Sequence, residues 1–189
     1  MDISAAVVTA KKAIDGVKQV AGTTLARMTA AARDEPTIFD RLKRDHDDFR
    51  KLMKQLAATT SRGVKQRRRL FDMLRRTVTA HARAEEAVLY AALKDVKATR
   101  PEVFEGHEEH HLADLIFAEM ARLSPGDERW TAKAAVLRES LRHHIDEEER
   151  ELFVAGRKVL PPDTAVALGR AFAADKARRL AKTARSRGG

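Results

Sequence analysis

The chain has 189 residues, which is the size of one ordinary domain and enough to bury a sizeable core. It contains no cysteine, which excludes a disulfide framework and a thiolate metal site, so any metal would be held by imidazole and carboxylate. No run of about 18 apolar residues occurs, so we expect no membrane span. The short apolar stretch near the N-terminus carries Asp2 instead of the basic residues of a secretory signal, and we therefore expect a cytoplasmic protein.

The chain is strongly basic, with 37 Lys and Arg against 28 Asp and Glu and a formal net charge of +9. Much of the excess lies in two clusters, one formed by Arg62, Lys65, Arg67, Arg68, Arg69, Arg75 and Arg76, the other by Lys176, Arg178, Arg179, Lys182, Arg185 and Arg187. Basic surfaces attract nucleic acid or anionic membranes in some proteins. Because few aromatic residues lie among these charges and no nucleic-acid-binding module is recognisable, we interpret them as a solvated helix face and a frayed tail and expect no nucleic-acid partner.

Apolar side chains recur at helical spacing through residues 3–32, with charged side chains on the other side. This pattern predicts an N-terminal amphipathic helix, which ends at Asp34-Glu35-Pro36. We expect the helix to cover its own domain, and contact with a membrane surface or a partner is the alternative.

Five more helices are predicted after this break, and no alternating strand pattern is visible. A capping box of Thr37 and Asp40 begins the first, Thr99 caps the third and Asp127 caps the fourth. The expected ranges are 37–60, 64–94, a third helix from Thr99 to the turn at Ser124-Pro125-Gly126, 128–157, and a last helix from Pro161-Pro162 to about residue 182.

Short connections favour antiparallel neighbours, so the expected fold is all-α, an up-down antiparallel four-helix bundle with extra N-terminal and C-terminal helices. The expected organisation is an N-terminal helical arm over residues 1–35, the bundle over 36–157, and a C-terminal helix with a basic tail over 158–189.

One motif occurs twice, on the second and fourth helices of the bundle. His81-x-x-x-Glu85 and His144-x-x-x-Glu148 each place a histidine and a glutamate one turn apart on the same helix face. At about 100° per residue, both pairs fall on the apolar stripe of their helix and are predicted to point inward.

The first and third helices each add one histidine to this predicted core. His46 lies on the apolar stripe of the first helix. On the third helix three histidines compete: His110 lies closest to the apolar stripe, whereas His107 and His111 lie further round. An acid precedes both His46 and His110, so the two helix hairpins look like copies of each other, which also favours His110.

The same helical wheel assigns the residues that flank the motif on the second helix. Val88 and Ala92 share the stripe of His81, whereas Glu86 points well away from it. Tyr90 is expected to pack beside the edge of the bundle, and a position lining a metal pocket is the alternative.

Six ionisable side chains are therefore predicted in one core, namely His46, His81, Glu85, His110, His144 and Glu148. A purely structural cluster of this kind would be costly, because buried charges lose hydration, whereas a metal ion binds carboxylate and neutral imidazole. Six ligands exceed the four of a tetrahedral zinc site. Two ions bridged by Glu85 and Glu148 use all six and leave positions open for an exogenous ligand.

This ligand series resembles that of the hemerythrin family in its bacterial, HHE-domain branch, and the segments EEAVLY, EEERELF and EEHHLADLIFAEM match the same family over about residues 36–157. The resemblance implies two non-haem Fe ions with carboxylate and oxo or hydroxo bridges. Glu85 and Glu148 would bridge the ions, and His46, His81, His110 and His144 would be terminal ligands.

The chain departs from the O2 carriers of that family, which have five histidines, a His-x-x-x-His pair on the third helix and a final His-x-x-x-x-Asp. His107 and His111 have the carrier spacing, but the last motif ends in Glu148. We therefore expect a protein that binds or senses O2, NO or peroxide, or responds to iron. The alternatives are a di-iron peroxidase or catalase-like detoxifying enzyme and, more distantly, a basic structural or nucleic-acid-associated bundle.

Overall fold

A computed structural model of the chain describes residues 35–185, and the predicted N-terminal helix lies outside this range. Within it the protein is built from five helices joined by short connections. They are α1 (Ile38–Ala57), α2 (Val64–Glu85, continuing through Glu86–Tyr90 and Ala91–Leu93), α3 (Arg100–Ala121), α4 (Glu128–Glu147, continuing through Glu148–Leu152 and Phe153–Val159) and α5 (Pro162–Arg185). No helix of the described part of the chain is both long and apolar enough to cross a bilayer.

Side-chain contacts between neighbouring helices give their directions. His81 near the end of α2 contacts Asp45 of α1, whereas Arg67 near the start of α2 bonds Thr59 beyond the end of α1. The pairs Glu109–His144 and Glu119–Lys133 set the same antiparallel course for α3 and α4. These contacts confirm the predicted up-down four-helix bundle.

The bundle core has two apolar parts. The first contains Phe71, Phe117 and Trp130, and the second contains Phe39 and Phe153 near the opposite end of the helices. Buried histidines and glutamates lie between them in sequence on every bundle helix. A polar layer therefore crosses the bundle, enclosed by apolar side chains on both sides.

Two of the three predicted helix caps are present. The Thr37 hydroxyl accepts a hydrogen bond from the Asp40 N–H while Asp40 accepts one from the Thr37 N–H, which is the predicted capping box. Asp127 caps α4 by accepting from the N–H of Arg129 at 2.7 Å. Thr99 lies at the predicted N-cap position of α3, but it makes no capping hydrogen bond, because its buried hydroxyl donates to the Leu93 carbonyl at 2.8 Å and closes the α2–α3 loop instead.

Both His-x-x-x-Glu motifs run directly into a π-helical turn. The N–H of Ala91 donates to the Glu86 carbonyl, five residues back, and the N–H of Phe153 donates likewise to the Glu148 carbonyl. Each turn contains one more residue than an α-helical turn, so the side chains that follow are rotated relative to a regular helix. Such turns are rare and are often found at functional sites.

Helix α5 packs against α1 and α2, running parallel to α1. Its Gly169 allows the close approach, because a Cβ there would lie 2.9 Å from backbone atoms of Pro36, Thr37 and Ile38. Further along α5, Lys176 bonds both carboxylate oxygens of Asp45 at 2.6 Å. The C-terminal helix is thus tied to the bundle next to the polar layer.

Candidate metal centre

The structure brings the six predicted side chains together in the polar layer. Helix α1 provides His46, α2 provides His81 and Glu85, α3 provides His110, and α4 provides His144 and Glu148. None of the six is more than 6% exposed, and Glu85 is fully buried. The wheel predicted these inward directions correctly.

The four histidines form two pairs, one from each hairpin. The ring centres of His46 and His81 lie 5.1 Å apart, and those of His110 and His144 lie 4.8 Å apart. Contacts between Nε2 and carboxylate oxygens link both pairs to the two glutamates: His46–Glu148 at 3.3 Å, His81–Glu85 at 3.5 Å, His110–Glu85 at 3.6 Å and His144–Glu148 at 3.9 Å. The carboxylates therefore lie between the pairs.

Helix α3 contributes only His110 to this layer. The His107 side chain is 43% exposed and lies edge-on against the Tyr90 ring, and His111 is exposed on the outside of the helix. The structure therefore does not bring together the carrier-type pair His107 and His111.

Each buried histidine also contacts a carboxylate through its other ring nitrogen, Nδ1. The four contacts are His46–Glu149 at 3.0 Å, His81–Asp45 at 2.9 Å, His110–Glu86 at 3.0 Å and His144–Glu109 at 2.7 Å. A carboxylate on Nδ1 fixes the ring orientation and favours the proton on that nitrogen, which leaves Nε2 as a lone-pair donor to a metal. We call Asp45, Glu86, Glu109 and Glu149 the outer carboxylates.

The outer carboxylates connect the bundle helices in a closed ring. Helix α1 supplies the partner of the α2 histidine, α2 that of the α3 histidine, α3 that of the α4 histidine, and α4 that of the α1 histidine. The sequence interpretation missed this ring and was wrong about Glu86, which faces His110 rather than pointing away. The sequence does contain a local signal for the ring, because each outer carboxylate is the direct sequence neighbour of a buried histidine or glutamate.

The inner atoms of the layer lack hydrogen-bond partners. Nε2 of His46, Nε2 of His81, and all four carboxylate oxygens of Glu85 and Glu148 are buried without one. Nε2 of His110 faces Nε2 of His144 at 3.2 Å, so two lone pairs oppose each other when both Nδ1 atoms carry protons. Glu85, His110 and His144 offer ligand atoms within 4.8 Å of one another. This donor set of imidazole nitrogens and carboxylate oxygens fits a cation.

A comparison with protein families matches residues 37–155 to the Hemerythrin HHE cation binding domain. The chain belongs to the hemerythrin family. The matched residues span α1 to α4 up to Ala155 and include all six side chains of the layer. Comparisons with curated proteins and with solved structures gave no match.

Tyr90 was expected at the edge of the bundle, but it lies inside this hemerythrin domain. It is 1% exposed, its ring stacks on His110 with centres 5.6 Å apart, and its buried hydroxyl has no hydrogen-bond partner. Gly106 makes room for it, because a Cβ there would lie 2.2 Å from the Tyr90 hydroxyl oxygen. Burial and the nearby Glu148 and Glu85 raise its pKa well above the usual value, so the phenol keeps its proton.

In the metal-free hemerythrin domain, burial and nearby charges shift the pKa values of the two inner glutamates, Glu85 and Glu148, in opposite directions. Burial, followed by the adjacent Glu148 charge, raises the pKa of Glu85 well above its usual value. Burial also disfavours the charged form of Glu148, but its close contact with His46 at 3.3 Å and the nearby His144 hold its pKa far below the usual value. The two shifts have opposite directions, so a proton shared by the pair is held preferentially by Glu85.

The outer carboxylates are expected to strengthen metal binding without contacting the metal. Glu86→Gln keeps the size of the side chain but weakens the charge-assisted contact with His110 Nδ1, and we expect metal affinity to fall by about 10- to 100-fold. Equilibrium competition with a chelator measures this change. Glu108→Gln on the exposed face of α3 is the matched control, and equal affinities for the two variants would contradict the assigned role.

Proposed function

We propose that this protein is a non-haem di-iron protein that binds or senses a small ligand, O2, NO or peroxide. One observation carries the proposal: four imidazole Nε2 atoms converge on two buried carboxylates whose oxygens have no hydrogen-bond partner, while a carboxylate fixes every Nδ1. His46 and His81 would hold one ion, His110 and His144 the other, and Glu85 and Glu148 would bridge the two.

Iron suits this donor set, and a pair of iron ions supplies reversible electron transfer and open coordination positions for a small ligand. The chain's own residues supply the rest. The outer carboxylates orient the imidazoles, and the apolar side chains on both sides bury the layer within the bundle.

Metal analysis tests the proposal directly. Full-length protein expressed with iron is expected to contain about two irons per chain and to show the absorption of an oxo-bridged ferric pair in air. Zinc alone, or no metal after iron loading of the apoprotein, would refute it. A Glu85→Ala variant should lose the metal, whereas Glu108→Ala, on the exposed face of α3, should keep it.

A di-iron peroxidase is the second candidate, and Tyr90 is the observation that favours it. The unpartnered phenol lies beside Glu148 and keeps its proton, so it can donate a hydrogen bond to a peroxide ligand in the layer. Peroxide consumption that disappears in Glu85→Ala would favour the enzyme, and reversible O2-dependent spectra without turnover would favour the binding protein.

Tyr90→Phe is expected to keep the iron content but to release a bound small ligand faster. Removing one hydrogen bond of about 1 kcal/mol corresponds to an increase of about fivefold in the dissociation rate. Stopped-flow measurement of NO release from the ferrous protein checks the rate, and metal analysis checks the content. Unchanged NO release, at equal iron content, would show that the hydroxyl does not contact the ligand.

A further inference from the structure

A narrow cleft between α3 and α4 reaches the buried layer from the surface. Tyr90, His144 and Glu148 lie at its inner end, and Gly106 forms part of its wall. Its volume is about 20 Å³, which is room for about one water molecule. A small ion, rather than an organic molecule, is the size of ligand that such a passage admits.

The outer part of this cleft is acidic. It is lined by Glu102, Glu105, Glu109, Glu147 and Glu151, which we call the acidic mouth. Arg150 offsets part of this charge through contacts with Glu147 and Glu151 at 3.3 and 2.7 Å. Helix α3 as a whole carries six acidic residues against one arginine, although the full chain has a net charge of +9. A protein that repels cations overall therefore attracts them at this cleft.

Unpartnered buried oxygens continue the acidic mouth inward. Oε2 of Glu102 has no hydrogen-bond partner, nor do the Tyr90 hydroxyl and both oxygens of Glu148, which is 5% exposed. Oxygen atoms without partners thus extend from the mouth to a glutamate of the layer itself. Such atoms are suited to replace the hydration shell of a divalent cation in steps.

We propose that the cleft between α3 and α4 is the uptake route by which a divalent metal ion, Fe²⁺ under the proposed function, reaches the buried layer. The acidic mouth concentrates the cation, and Tyr90 and Gly106 form the narrow inner end. The inference rests on the proposed function, because it requires the layer to bind metal.

The test is the rate at which full-length apoprotein takes up Co²⁺, followed by visible absorbance in a stopped-flow instrument at low ionic strength. The triple variant E102Q/E105Q/E151Q is expected to bind the same final amount of Co²⁺ about tenfold more slowly. The matched control, E119Q/E128Q/E139Q, removes the same charge from parts of α3 and α4 that do not line the cleft, and it should bind at the wild-type rate. The difference should shrink at 0.5 M salt, because screening weakens steering.

Equal slowing in both triple variants, or in neither, would overturn the uptake route while leaving the proposed function standing. Wild-type protein that binds no Co²⁺ and no iron at equilibrium would overturn both. The single variant Glu105→Lys guards against misfolding, because Glu105 is exposed, and it should slow uptake more than Glu105→Gln. Equal rates for these two single variants would also count against the route.

Discussion

His110→Ala is expected to lower metal affinity by more than about 100-fold and to remove at least one metal ion per chain. The reason is that His110 is 5% exposed, faces His144 at 3.2 Å and contacts Glu85, so its loss removes a donor atom that no neighbour replaces. Metal content after gel filtration, with affinity from chelator competition, measures the effect.

His107→Ala and His111→Ala are the matched controls on the same helix. Both side chains are exposed, and His107 contacts the edge of the Tyr90 ring rather than the layer. Both variants should keep the wild-type metal content. If instead they lose metal together while His110→Ala keeps it, the site is of the five-histidine carrier type and the assignment of His110 is refuted.

Much of the fold could be predicted because its signals are local. The capping box at Thr37, the cap at Asp127 and the turn at Gly63 place helix ends within a few residues of those observed. The inward directions of the buried histidines followed from regular α-helical geometry, which holds in α1 and α3 and in α2 and α4 as far as the two glutamates.

The helical wheel failed where the helix stops being regular. Beyond Glu85 the π-helical turn adds a residue, so Tyr90 and Leu93 are buried while Val88 and Ala92, which the wheel placed inward, are only partly buried. Hydrophobic spacing, which assumes a regular α-helix, does not signal such a turn. For this reason the position of Tyr90 required the structure.

The ring of outer carboxylates was missed for a different reason. A wheel divides side chains into inward and outward groups, whereas Glu86 and Glu149 point sideways, toward a histidine on the neighbouring helix. A helical wheel considers one helix alone, so it cannot identify a long side chain that contacts a residue on the neighbouring helix. Acids directly beside metal-ligand candidates in sequence are therefore worth testing as partners of histidines on adjacent helices.

Metal binding is expected to become tighter as the pH rises, because protons must leave the layer before the ions enter. In the metal-free protein burial and the Glu148 charge raise the pKa of Glu85, which favours its protonated form. His46 holds a proton below its own raised pKa, because Glu148 and Glu149 outweigh the effect of burial. His110 is neutral above about pH 4, since burial lowers its pKa to about 4, and it needs no deprotonation near neutral pH.

The direction follows from mass action: a lower pH favours the protonated apoprotein and weakens binding by about tenfold per pH unit for each proton displaced. Between pH 7.5 and 5.5 the apparent affinity for Co²⁺ should therefore fall. Calorimetric titration in two buffers with different ionisation enthalpies counts the protons released. Affinity that is constant across this range, with no proton release, would mean that Glu85 and His46 are already deprotonated in the apoprotein. The raised pKa values assigned to Glu85 and His46 would then be wrong.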